Sequence, residues 1–106
     1  MQTKHIFNIG LNDQHTKKQI YTSKQAQERI ITALQKHKSI TGYTIHTARG
    51  GYTHADGTHT QENSLILELF DRLPRKTIHA LANDIKDTLN QETIVYTKQR
   101  TKGVFI

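Results

Sequence analysis

Residues 48–69 read ARGGYTHADGTHTQENSLILEL. In the second half, Leu65, Leu67 and Leu69 alternate on one face while Ile66 and Phe70 take the other, the period-two pattern of a β-strand. A strand with apolar residues on both faces belongs in the middle of a sheet, with something packed on each side. Asp56-Gly57 is the best hairpin turn in the chain, since both positions can take φ > 0. The outgoing strand before it is YTIHTAR, started by Gly42. The hairpin has little apolar content before Leu65. Its glycines, one tyrosine and one carboxylate exceed what packing needs, and they point to a small-ligand site on a compact sheet domain.

Outward from the hairpin, the remaining elements follow from periodicity. His5 to Leu11 (HIFNIGL) is a short strand with Phe7, Ile9 and Leu11 on one face. After the polar link NDQHTKKQIYT, Thr22-Ser23 opens a helix, with Gln25 three residues after Thr22 as a capping-box signal. Ala26, Ile30, Ala33, Leu34 and His37 fall at helical spacing, which predicts a helix from about Ser23 to Lys38. Pro74 marks a second helix start, at a first-turn position that lacks an N–H partner anyway. Its apolar stripe is Ile78, Leu81, Ala82, Ile85 and Leu89. Thr93 to Thr97 is the fourth strand, and the closing GVFI is a candidate fifth, pairing across a subunit boundary. The order β-α-β-β-α-β predicts an α+β, ferredoxin-like sandwich, an antiparallel sheet with two helices on one face. The other face is left open, and a thin domain closes such a face by oligomerising.

Composition sets limits. A chain of 106 residues is one domain, 1–106, and buries roughly 65% of the surface it exposes when unfolded. Its 34% hydrophobic content is low against about 45–50% in typical domains. The core is therefore thin, and self-association supplements it. There is no run long enough to cross a membrane and no signal-peptide pattern in MQTKHIFNIG. The absence of cysteine excludes disulfide and thiolate chemistry and fits a cytoplasmic protein. A net charge of +6 invites a nucleic-acid reading. The basic residues are scattered, however, with only YTKQRTKG resembling a patch, and few aromatics interleave with them to stack bases. A solvated basic surface is the plainer account.

Six residues are candidates for chemistry. Arg49, Gly50 and Gly51 can bring backbone N–H groups against an anion; a β-bulge where the hairpin bends would use the same glycines. Tyr52 offers a hydroxyl or a π face to a cation, against the alternative of a half-buried sheet tyrosine. Glu62 stands where the polar hairpin meets the apolar strand, and its carboxylate can bind an ammonium group or act as a base; an exposed strand residue is the alternative. Ser64 has no assignable base partner. Glu68 shares a face with Ile66 and Phe70 and reads as a structural or interface group. Tyr21, Tyr43 and Tyr96 read as packing residues, and His46 as a sheet residue. A two-residue turn at Asp56-Gly57 would set His54 opposite His59, but two ligands fall short of a stable zinc site, so no metal is expected.

On these residues the chain resembles the small bacteriophage S-adenosylmethionine lyases, formerly called hydrolases. The resemblance rests on Gly51-Tyr52 in the hairpin, Glu62 just before a strand, and the ending Ile94-Val95-Tyr96 … Thr101-Lys102-Gly103-Val104. The hairpin differs from the family in length and in its His/Thr-rich tip. The resemblance implies a PII-like trimer with sites between subunits and no cofactor beyond S-adenosylmethionine itself, the substrate. The implied reaction is unimolecular. The substrate's own carboxylate attacks its γ-carbon, methylthioadenosine leaves, and homoserine lactone forms, so the protein need only hold a near-attack shape and exclude water. Tyr52 would lie near the sulfonium or hold the substrate's shape, Glu62 would bind the substrate's polar groups, its amine among them, and Gly50 and Gly51 would allow close backbone approach. Removing S-adenosylmethionine would serve a phage as anti-restriction.

In an unbroken two-residue hairpin, Tyr52 pairs with Gln61 and Glu62 faces the other way, so a bulge at Gly50-Gly51 or a site shared between subunits is required. Two other readings stay open: a non-catalytic, PII-like trimer that binds a nucleotide or metal at the hairpin, and a small basic protein that binds nucleic acid through YTKQRTKG.

Overall fold

A computed structural model of the chain describes residues 2–53, 55–103 and 106, and at Gln2 and Tyr52 the backbone alone. The elements are β1 (Gln2–Gly10), α1 (Ser23–Gln35), β2 (Thr44–Thr53), β3 (His59–Phe70), α2 (Arg75–Leu89) and β4 (Val95–Thr101). The sheet order is β2-β3-β1-β4 and every neighbouring pair is antiparallel. This is the ferredoxin-like α+β arrangement that the order of elements predicts.

One layer of apolar side chains joins sheet to helices. Phe7 and Ile9 of β1 and Leu65, Leu67 and Leu69 of β3 are fully buried, and face Ala26, Ile30, Ala33 and Leu34 of α1 and Ile78, Leu81, Ile85 and Leu89 of α2. Each large member contributes about 1.5–3 kcal/mol by leaving water. The even-numbered residues of β1, β2 and β3 and the odd-numbered residues of β4 alternate onto the other face, which no helix covers. There Ile6, Ile66 and Phe70 are only half-buried and Val95 is 58% exposed.

Helix ends follow local chemistry. Thr22 Oγ1 accepts from the Gln25 amide at 3.1 Å and Gln25 Oε1 accepts from the Thr22 amide at 3.0 Å, a complete capping box. The helix stops at Gln35 rather than Lys38. The Lys36 and His37 amides turn to the Ala33 and Leu34 carbonyls, tightening the last turn, and His37 leaves the helix to meet Asp84 at 2.8 Å. Pro74 caps α2 from an extended conformation (ψ 148°) instead of occupying its first turn. At the other end Asn90 takes the left-handed region (φ 50°), and the Gln91 amide closes back on the Lys86 carbonyl at 2.9 Å.

Strand β4 begins later than predicted and runs through YTKQRT, because the start of β1 offers it partners: Gln2 pairs Thr101 and Thr3 pairs Arg100. The basic segment is thus an edge strand, not a tail. Gly103 lies outside any strand, and Val104 and Phe105 of the expected fifth strand lie outside the described residues.

The β2–β3 hairpin corrects two expectations. Pairing runs unbroken from Thr44↔Glu68 to Thr53↔His59, so no bulge occurs at Gly50-Gly51, which pair Glu62 and Gln61. The turn also differs. Asp56 Oδ1 accepts from the Thr58 amide at 2.9 Å and the Thr58 hydroxyl at 2.6 Å, and Gly57 has φ +87° while Asp56 is not in the positive-φ region. The last pair encloses residues 54–58, an odd number, so the register moves by one residue from that of a two-residue turn. Tyr52 consequently pairs Thr60, not Gln61, and His59 pairs Thr53, not His54. His54 lies outside the described residues.

His5 is buried in the core-side layer at 2% exposure. Its Nδ1 and the Tyr96 hydroxyl are 2.6 Å apart, and its Nε2 lies 3.0 Å from the Asp71 carbonyl. The carbonyl only accepts, so Nε2 carries the proton and Nδ1 accepts from tyrosine. Burial, with the Lys98 charge in the same direction, lowers the His5 pKa below its ordinary 6.5, against the raising effects of the Asp71 carbonyl and carboxylate. A lowered folded-state pKa means the unfolded chain takes the proton first. The stabilisation is therefore complete above about pH 6.5 and is lost as pH falls through the lower folded value. Urea midpoints should drop between about pH 7.5 and 5. His5→Gln should cost about 1–3 kcal/mol at the upper pH and flatten that slope; an unchanged slope would remove His5 as its source.

Candidate functional site

Glu62 lies on β3 just before the buried run of Leu65, Leu67 and Leu69 begins, and register places it directly opposite Gly50 on the uncovered face. Its carboxylate does not extend into solvent. It folds over the end of β1, where a Cβ on Gly10 would stand 2.5 Å from Oε1. Only glycine leaves that room. Just beyond, the Asn12 amide donates to Glu62 Oε2 at 3.1 Å. This charge-assisted bond fixes one oxygen.

The Asn12 amide is itself held by a fastened loop. The Leu11 amide continues the β1–β3 pairing to the Asn63 carbonyl at 3.0 Å, and Asn12 bridges to Gln19. Asp13, 4% exposed, accepts from the His15 and Thr16 amides at 2.9 Å each through Oδ2, and from the Asn90 side-chain amide through Oδ1. The Thr16 amide, then Asn90, holds the Asp13 carboxyl below its usual range. Gln91 Nε2 donates to the Asn12 carbonyl at 2.8 Å. The left-handed Asn90 that ends α2 thus clamps the loop that presents the amide to Glu62.

Two recesses meet at Glu62. One, of about 440 Å³, lies on the uncovered face between Asn8, Gly10, Gly50, Ser64 and Val95. The other, of about 640 Å³, is bordered by Asn12, Asp13, Lys17 and Gln91. Of the sequence-predicted residues, Arg49, Gly50, Gly51, Glu62 and Ser64 all border the first recess. Alternation sets Gly50, Glu62 and Ser64 on the uncovered face and Arg49 and Gly51 on the other. Gly50 has open space where a Cβ would stand, whereas a Cβ on Gly51 would meet His59 Nε2 at 3.0 Å. The backbone of Tyr52 has the same register parity as Glu62, so the conflict expected from a two-residue turn does not arise.

Glu68 lies 3.2 Å from Lys4 Nζ and 3.7 Å from His46 Nε2 on the uncovered face. Tyr96 bonds to His5 and Tyr21 lies under Arg29 at 4.2 Å, while Tyr43 is exposed. Among the described residues no group of three or more His, Asp or Glu could hold a metal ion, and no helix is long and apolar enough to cross a membrane. Sequence reasoning missed Gly10, Asn12, Asp13 and Asn90. Their signals were a glycine ending a strand pattern, an Asn-Asp pair at a turn and an asparagine just past a helical stripe.

Neither a family model nor a curated protein matches the sequence. Solved structures match the fold. A phage SAM lyase in its apo state superposes with a TM-score of 0.72 at 22% identity, over 92% of this chain and 78% of that one. The phage SAM lyase in complex with S-methyl-5'-thioadenosine gives 0.67 at 21%, over 92% and 80%. The divalent cation tolerance protein CutA from Archaeoglobus fulgidus gives 0.66 at 10% identity, over 99% and 88%. The B. subtilis GlnK–ATP complex gives 0.58 at 12%, over 93% and 84%. The chain therefore has the PII-like form of the ferredoxin-like fold, and the resemblance drawn from its residues is matched in three dimensions by the lyase fold.

Gly10→Ala tests the carboxylate seat. The obstructed atoms are the end of a flexible side chain, so the fold should survive with stability within about 1 kcal/mol of wild type. The Asn12 amide, deprived of Glu62, should shift its NMR resonance strongly. An unmoved Asn12 resonance would show that the carboxylate does not depend on Gly10.

Proposed function

We propose that this chain is an S-adenosylmethionine lyase that forms methylthioadenosine and homoserine lactone. The observation that carries the proposal is the seated carboxylate of Glu62, facing Gly50 across the hairpin at the mouth of a recess. Support comes from the fold shared with phage SAM lyase, one structure of which holds S-methyl-5'-thioadenosine.

In this proposal Glu62 binds the ammonium group of the substrate with the oxygen that Asn12 leaves accessible. The open space at Gly50 admits the substrate against the strand backbone, and Arg49, Gly51 and Ser64 complete the rim. Tyr52 is assigned to the sulfonium, which a π face attracts. Once the methionine part is folded, a carboxylate oxygen of the substrate forms a bond to its own γ-carbon as the carbon–sulfur bond breaks. The electron pair goes to sulfur, which leaves as a neutral thioether. No protein nucleophile and no proton transfer are needed, so binding geometry supplies the catalysis. The site is proposed to lie between subunits of a homotrimer, whose copies would cover the half-buried Ile6, Ile66 and Phe70 and the exposed Val95. The biological role proposed is phage anti-restriction in the host cytoplasm.

A second reading, a non-catalytic PII-like binder of a small ligand at the same hairpin, is favoured by the fold shared with CutA and the GlnK–ATP complex. Turnover separates the two. Purified protein incubated with S-adenosylmethionine should release methylthioadenosine together with homoserine lactone, detected by chromatography with mass detection. Glu62→Gln keeps the shape and an acceptor for Asn12 but removes the charge. It should slow release at least about 100-fold, some 2.7 kcal/mol, at a nearly unchanged unfolding midpoint. Full activity in that variant would sink the role of Glu62, and a folded, oligomeric wild type that yields no product would leave the binder reading standing.

A further inference from the structure

At the end of the sheet away from Glu62, the chain builds a recess of about 510 Å³ lined by Thr3, His5, Arg72, Leu73, Pro74, Lys98 and Arg100. Its composition is one-sided: three permanent cations and no carboxylate. The arrangement follows from topology. Lys98 and Arg100 alternate with Thr97 and Gln99 on the edge strand β4, and the pairing sets them beside His5 and Thr3 of β1. They rise on the helix side of the sheet, and the β3–α2 connection closes the recess with Arg72.

Like charges gathered this way repel one another, and neighbours normally relieve them. Here the available carboxylate is turned elsewhere: Asp71 Oδ1 accepts from the Arg72 amide at 2.8 Å and Oδ2 from the Thr41 hydroxyl at 3.3 Å. Among the described residues none of Arg72, Lys98 or Arg100 is in an ion pair. The fifteen-residue helix α2 starts beside the recess with Pro74 as its cap, no side-chain cap bond and no acidic residue in its first turn, so its positive end adds to the same field. His5, a side chain that is either neutral or cationic, supplies no negative charge to offset them.

We infer that this recess is an anion site for a small molecule carrying two or three linked phosphates. Three converging cations match several phosphate charges, and Arg72 and Arg100 supply planar forks for phosphate oxygens. The lining, with no Phe, Tyr or Trp, suits a compact polyphosphate better than a nucleic-acid strand, which needs a continuous groove with stacking aromatics. The recess is separate from the hairpin site. Thr3 and Gly10 mark opposite ends of β1, about 24 Å apart at 3.4 Å per residue.

The test is isothermal titration of the full chain with inorganic tripolyphosphate at low salt, beside a dT oligonucleotide. Three proteins are compared: wild type, the Lys98→Gln/Arg100→Gln double variant and a Lys18→Gln/Lys24→Gln control. The control removes the same charge from exposed residues at the other end of the molecule. The expected result is saturable tripolyphosphate binding to wild type and control, at least about tenfold weaker in the Lys98/Arg100 variant, with unchanged far-UV circular dichroism in all three. Equal weakening in both variants would reduce the effect to net charge and overturn the site. Equal binding by all three, or none to wild type, would overturn it as well. An oligonucleotide that binds more tightly than tripolyphosphate, with a steeper salt dependence, would overturn the small-molecule assignment in favour of nucleic acid.

Discussion

The β2–β3 register is the constraint on which the candidate site depends. Side chains alternate strictly along a strand, so a slip of one residue exchanges the two faces of everything beyond it. Leu65, Leu67 and Leu69 fix β3 against the helices from one end, and the odd loop at residues 54–58 fixes β2 against β3 from the other. Together they set Gly50 opposite Glu62 and give position 52 the same parity. A two-residue turn at Asp56-Gly57 would have moved β2 by one residue and put a different residue opposite the carboxylate. The Asp56 bonds to Thr58 and the positive φ of Gly57 are therefore as consequential for the site as any residue within it.

Register alone does not orient a carboxylate. A glutamate on an uncovered sheet face ordinarily samples several rotamers in water, at a cost in entropy when a ligand stops it. Here the missing Cβ of Gly10 makes a seat, the Asn12 amide fills one oxygen's bonding direction, and Asp13, Asn90 and Gln91 hold that amide in place. The clamp reaches from the end of β1 to the end of α2, so a core that packs the helix correctly also aims the side chain. Preorganisation of this kind is what a reaction without a protein nucleophile would draw on.

Much of this was legible in the sequence, for physical reasons. The apolar stripes of Phe7–Leu11, Ala26–Leu34, Leu65–Leu69 and Ile78–Leu89 carry the periods of their elements, and one buried layer enforces those periods. Thr22 and Gln25 announced a helix start because capping is local. What escaped was non-local or conformational. Whether Asp56 enters the positive-φ region depends on side-chain bonds that a dipeptide does not reveal. The extension of β4 to Thr101 depends on where β1 begins. At the site, Glu62 and its glycine-rich partner strand stood out by chemistry, whereas Gly10 and Asn90 matter only through residues more than 25 positions away. His5 read as a strand residue; its burial depends on Tyr96 and the Asp71 carbonyl, 91 and 66 positions on.

The most direct test of the central claim is where the lyase product binds. Methylthioadenosine should be titrated into ¹⁵N-labelled protein with assigned backbone amides. The account predicts saturable shifts centred on Gly10, Asn12, Gly50, Gly51 and Glu62. Shifts centred on any other part of the sheet, or none at millimolar ligand, would contradict it.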